Sequence, residues 1–172
     1  MDLWSTDECH FQQHGSRCVM WVPPEERDPV VFHAPTRRSV ALFGAVNLRG
    51  GQMQALFAEP FNGQAFVVFL AMLLRRRARD RKLVLISDNA AYHKSTEVRD
   101  FVAEHEHSLQ LLYLPPYSPD LNPIERVWKL IRRLCTHNQY FPELDTLREV
   151  VGQQLTAWWK PNEMLRRLCC IT

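Results

Sequence analysis

The chain has 172 residues, 46% hydrophobic and 23% charged, with 21 basic against 19 acidic side chains. That length and composition fit one globular domain with a full core and exclude a disordered chain, while so small a net charge does not by itself argue for nucleic acid. The longest apolar run, Ala65 to Leu74, is too short for a bilayer, and Asp2, Asp7 and Glu8 stand where a secretory leader would be basic and then apolar, so the expectation is a cytoplasmic protein with no membrane partner.

In chain order, Leu3 to Gln13 reads as a strand and His14-Gly15-Ser16 as a turn, with Cys18 to Val22 as a returning strand. A polar loop follows to Pro35. Val40 to Asn47 is the next strand, and Arg49-Gly50-Gly51 turns it into a hairpin with Met53 to Ala58. Asn62 and Gly63 start a helix that runs to about Arg79 and ends in arginines, which suits a helix C-terminus. Leu83-Val84-Leu85-Ile86 is a short continuous apolar run of the kind buried on both sheet faces, and it ends in Ser87-Asp88-Asn89. Ser95 caps a helix to about Glu106, Leu109 to Leu114 is another buried strand, and Asn122 caps a helix that starts at Pro123. Leu144 to Trp159 is a further helix, which leaves 161–172 as a C-terminal tail after a domain spanning 1–160. A hairpin region followed by alternating helices and strands predicts an α/β mixed sheet, an N-terminal β-meander with helices on both faces.

Two groups of basic residues stand out, Arg75 to Lys82 and the set Arg126, Lys129, Arg132 and Arg133. Beside candidate acids they point to a polyanionic partner, against the plainer reading of solvated helix faces. Five cysteines without framework spacing, including adjacent Cys169 and Cys170, suit a reducing compartment, and the order Cys9, His10, His14, Cys18 matches no common zinc spacing.

The acids are more informative. Asp88 follows a central buried strand, where α/β sheets place functional groups. Glu125 follows the next buried strand through a loop with four prolines, Pro115, Pro116, Pro119 and Pro123, which fixes where the helix begins and so where Glu125 points. Asp7 lies in the first strand, and alternation lets only one of Asp7 and Glu8 face inward. Clustered carboxylates are unfavourable unless cations neutralise them, and hard oxygen ligands suit Mg²⁺ or Mn²⁺. Helix capping competes as an explanation for the last acid, because Asn122, Pro123 and Glu125 have capping-box spacing.

Asp7-Glu8, then Asp88-Asn89-Ala90-Ala91-Tyr92-His93, then the run from Leu114 to Glu125 together resemble the DDE endonuclease domain of bacterial insertion-sequence transposases related to mariner elements. The resemblance in motif and element order covers about Leu3 to Leu155. It implies a ribonuclease-H-like fold, an acidic triad of Asp7, Asp88 and Glu125 holding two Mg²⁺ or Mn²⁺ ions, and DNA cleavage and strand transfer with no separate general base. Asn89, His93 and Asn122 fall on motif positions and would shape the site. Helical geometry puts Arg126, Lys129 and Arg133 on the polar side of the Glu125 helix as phosphate contacts.

The resemblance also implies a nucleoid-associated location, action as a homodimer on transposon ends and target DNA, and N-terminal helix-turn-helix recognition domains absent from this sequence. The interval from Asp88 to Glu125 is slightly longer than is usual in the group. A second reading, of a different class, is a catalytically inactive or truncated remnant that only binds DNA or a transposase subunit. A cellular ribonuclease H would fit the acids but not the proline loop.

Overall fold

The computed structural model describes the chain except for residues 26–29, 31, 79, 117, 171 and 172. Its centre is a five-stranded sheet in the order β3-β2-β1-β4-β5. β1 (Asp2–Gln12), β2 (Ser39–Asn47) and β3 (Met53–Phe57) form an antiparallel meander. β4 (Leu83–Ser87) and β5 (Leu109–Tyr113) add to the other side of β1 in parallel, so β1 is central. Parallel neighbours require crossovers, and these are α1 (Gly63–Arg76) before β4 and α2 (Thr96–Glu104) before β5. The expected start of α1 holds: the Asn62 side chain accepts the Ala65 N–H at 2.8 Å.

Alternation along the strands divides the core in two. Trp4, Phe43, Ala45, Leu83 and Leu85 face α1 and α2, packing on Phe66, Phe69, Leu70, Leu73 and Val98. Cys9, Phe11, Val40, Leu42 and Val46 face the other way, under α3 (Ile124–Ile131), α4 (Leu144–Ala157) and α5 (Glu163–Cys169). Helices therefore cover both faces, as the alternation of elements predicts.

Two expectations differ. Cys18 to Val22 is not a strand: the chain after Gly15 makes one bridge, Ser16 to His137, and Val19 and Trp21 are fully exposed with no sheet face to bury them. Residues past 160, expected as a tail, form α5, which buries Leu165 and Cys169 against the α3 side of the core. Its docking depends on the β2–β3 turn. Gly51 has a φ of 69° and lies so close to Asn162 and Arg166 that a side chain there would strike their backbone, while Asn162 N–H donates to Gly50 O at 2.9 Å.

Candidate active site

Register builds the first part of the site. β1 and β4 run parallel with Ser5 opposite Ile86, so Asp7 and Asp88, each two residues further on, come level at the same end of the sheet. Glu125 enters from above, in the first turn of α3. The three acids line one cleft of about 480 Å³ with Asn89, Ala90, Leu114, Asn122 and four residues of the proline loop, Pro115, Pro116, Ser118 and Pro119. Asp7 faces the α3 side, and Trp128 Nε1–H donates to its Oδ2 at 3.2 Å.

The indole reaches Asp7 because Gly44 lies opposite Asp7 on β2 and leaves room for it. Burial pushes the Asp7 carboxyl up to about 8, and the neighbouring charges of Glu8, Glu125 and Asp88 act in the same direction.

Glu8 points to the opposite face, where its Oε1 lies 3.2 Å from Nε2 of His93, off the line of the ring N–H. His93 is 1% exposed, and its Nδ1 is 3.0 Å from Asp88 Oδ1. Glu8, Asp88 and His93 bring ligand-type atoms within 4.8 Å of one another. Both ring nitrogens already face carboxylates, so this group is a clamp on Asp88 rather than a set of free metal ligands. Burial lowers the His93 pKa, but contacts with Asp88 and Glu8 outweigh it and bring the imidazole up to about 9. The same contact with His93 holds Asp88 below the usual carboxylate range.

The proline loop is anchored by Asn122, and here the capping expectation needs correction. Its side chain does not cap α3. Its Oδ1 instead accepts from Ser5 Oγ–H, and its Nδ2–H donates to Thr6 O at 3.1 Å. Ser5 Oγ in turn accepts the Ile124 N–H at 3.3 Å, so the helix start is capped from β1 across the fold. Spacing within the loop could not show this, because the partner lies 117 residues away. Ser5→Ala should destabilise the protein by about 1–2 kcal/mol in chemical denaturation, since it leaves the Asn122 Oδ1 and the Ile124 N–H without a buried partner.

The remaining candidates divide. Asn89 lines the cleft, donating to Leu114 O and accepting from Lys94 Nζ at 2.7 Å. Arg126 turns away and donates to Leu168 O at 3.0 Å, at the end of α5. Lys129 and Arg133 are exposed but do not line the cleft. The Arg75–Lys82 run precedes β4 and so lies at the end of that strand opposite Asp88; within it Arg76 stacks over Trp159 and Arg77 bonds Ser108 Oγ at 3.1 Å. Arg79 lies outside the described residues.

The DDE superfamily endonuclease family matches residues 2–148. An uncharacterized protein of Sinorhizobium fredii, y4pE/y4sA, is 32% identical over 119 residues, 69% of this chain and 82% of its own length. The Tc3 transposase of Caenorhabditis elegans is 36% identical over 83 residues, covering 47% of this chain and 24% of the relative. A 39 kDa protein of insertion element IS630 from Shigella sonnei is 32% identical over 97 residues, and only 28% of it is spanned.

Among solved structures, the Mos1 transposase paired-end complex with the left transposon end superposes with a TM-score of 0.72 at 20% identity, over 98% of this chain and 51% of that one. The catalytic domain of Mos1 mariner transposase gives 0.65 at 18% identity, with 75% of that chain covered. The five-stranded mixed sheet with helices on both faces is thus ribonuclease-H-like, and the chain belongs to the DDE superfamily endonucleases, with insertion-element and transposase relatives.

Proposed function

We propose that this chain is the catalytic domain of a DNA transposase, cleaving and transferring DNA strands with Asp7, Asp88 and Glu125 holding two Mg²⁺ or Mn²⁺ ions. The observation that carries the reading is the arrival of these three acids, from β1, the end of β4 and the start of α3, in one cleft. The donor set fits divalent cations: all three offer hard oxygens, and the pKa of Asp7 is raised by burial first and then by neighbouring like charges that a cation would relieve. When bound, such ions activate a water or DNA 3′-hydroxyl and stabilise the leaving oxygen of an in-line displacement.

The protein's own tasks follow from its contacts. Trp128 orients Asp7, His93 holds Asp88 ionised, and Asn122 fixes the loop that delivers Glu125. Support also comes from Mos1 paired-end complexes solved with Mn and with Mg. Action as a dimer on paired DNA ends, with a helix-turn-helix region for recognition, and a bacterial cytoplasmic setting belong to the same proposal. Among the described residues no helix is long and apolar enough to cross a membrane. All three acids sit in one cleft, which favours an active domain over a decayed remnant.

Nicking of DNA bearing the element's ends, dependent on Mg²⁺ or Mn²⁺ and tested with a recognition domain supplied, checks the reading directly. A metal titration of the chain alone checks its basis. Because the folded pKa of Asp7, at about 8, lies above the ordinary value of 3.8, metal-free stability should be greatest below pH 4 as far as this group decides it, and should fall as pH rises toward 8. Mn²⁺ should raise the melting temperature at pH 7.5. Asp7→Asn, which can still accept from Trp128, should stabilise the metal-free protein by on the order of 2 kcal/mol and abolish the Mn²⁺ shift. A full Mn²⁺ shift in Asp7→Asn would remove this residue from the ligand set.

A further inference from the structure

A second cavity, of about 540 Å³, opens farther along β1. Its described lining includes Phe11, Gly15, Arg17, Arg132 and Thr136 and contains no carboxylate, the reverse of the acidic cleft. The two cavities share scaffolding. Arg132 follows Glu125 by seven residues, two helical turns, so both project from the same side of α3 and its continuation about 10 Å apart. From Asp7 to His10 β1 advances a similar distance, about 10 Å.

The second cavity is rigidly made. Arg132 opens a π-helical stretch, Arg132–Thr136, that continues α3, an irregularity that frequently marks functional sites. The turn facing it is locked on: Gly15 has a φ of 64°, and a Cβ there would stand 2.8 Å from Thr136 O. Ser16 N–H donates to Thr136 O at 3.2 Å, and Asn138 N–H donates to Ser16 O at 2.8 Å. The Arg132 guanidinium is held by a contact from its Nη2 to Cys9 Sγ at 3.1 Å and lies 5.7 Å from the centre of the Phe11 ring. Neither Arg132 nor Arg17 forms an ion pair with a carboxylate among the described residues. A pre-positioned guanidinium with no counter-ion among the described residues, in a cavity with no acid in its described lining, is suited to a phosphate oxygen pair.

We infer that this cavity binds a backbone phosphate of the DNA strand a few nucleotides from the phosphate that reacts in the acidic cleft. The inference rests on the proposed function and adds a path for the strand: from the acids, along β1 and the α3 extension, to Arg132 and Arg17. It adds Arg132, which faces the cavity, to the phosphate contacts the sequence pointed to, Arg126, Lys129 and Arg133, of which Arg126 is occupied by α5.

The test is the salt dependence of binding to a short labelled DNA duplex, with Ca²⁺ replacing Mg²⁺ so that no cleavage occurs. Arg17→Gln, an exposed position whose change cannot unfold the core, and Arg132→Gln should each weaken binding about fivefold near 0.1 M salt and reduce the slope of log K against log salt by about 0.9. Arg132→Lys should restore most of the slope, because the charge remains. Arg99→Gln, exposed on α2 on the other face, should leave both unchanged.

Unchanged slopes in both cavity variants, an equal loss in Arg99→Gln, or a wild-type chain that does not bind DNA would each overturn the inference. Its failure is separable from that of the endonuclease reading. Slope losses in a protein that never nicks DNA would leave the cavity assignment standing, and normal nicking with unchanged slopes would remove it alone.

Discussion

Asp88→Asn and Glu125→Gln are each expected to lower metal-dependent nicking about a thousandfold, some 4 kcal/mol of barrier, with stability within about 1 kcal/mol of the parent. The amides are chosen because they preserve shape. Asn at 88 can still accept the Ala90 N–H, which lies 3.1 Å from Asp88 Oδ1, and can still meet His93. Alanine there would leave a histidine that is 1% exposed without the carboxylate at its Nδ1, facing only Ser87 Oγ and Glu8, which mixes folding with chemistry. Glu125 makes no side-chain cap on α3, so loss of its charge should not loosen the helix start. Nicking at parental rates by either amide variant, with unchanged melting, would sink the triad assignment. A variant that melts early would instead place that residue in the framework.

Gly44→Val is expected to destabilise the protein by about 3 kcal/mol and to abolish the Mn²⁺ thermal shift. A Cβ at this position would strike Trp128 Cη2 and stand 2.8 Å from Cζ2 and 2.9 Å from Met53 Cε. Trp128 is 1% exposed and packed against β1 and β2, so the ring has nowhere to move without disturbing α3. Displacing it also removes the N–H that orients Asp7. Chemical denaturation with and without Mn²⁺ reads both effects. Retained stability would mean that the ring relaxes freely, and a retained metal shift would mean that Trp128 does not position Asp7.

The fold was legible where local pattern and burial agree. The continuous apolar run at Leu83 reads as a strand buried on both faces and is one, and Asn62 at the start of α1 both fits and makes its cap. Reading failed where stability comes from far along the chain. Cys18 to Val22 has strand-forming residues but no sheet neighbour, and residues 163–169 become a helix because the β2–β3 turn and the α3 core provide a surface to bury Leu165 and Cys169.

The site divides in the same way. Asp7, Asp88 and Glu125 could be singled out as candidates because their motif surroundings are local, and the structure brings them to one cleft. Several decisions belonged to tertiary structure: which of Asp7 and Glu8 enters the cleft, that Asn122 ties the loop to β1, that Gly44 admits Trp128, that Arg126 serves α5, and that Arg132 faces a cavity with no acid in its described lining. A sequence determines residue types, periodicity and local turns by itself. Which long side chain meets which partner is decided by strand register and helix placement, because those contacts join residues that are distant in the chain.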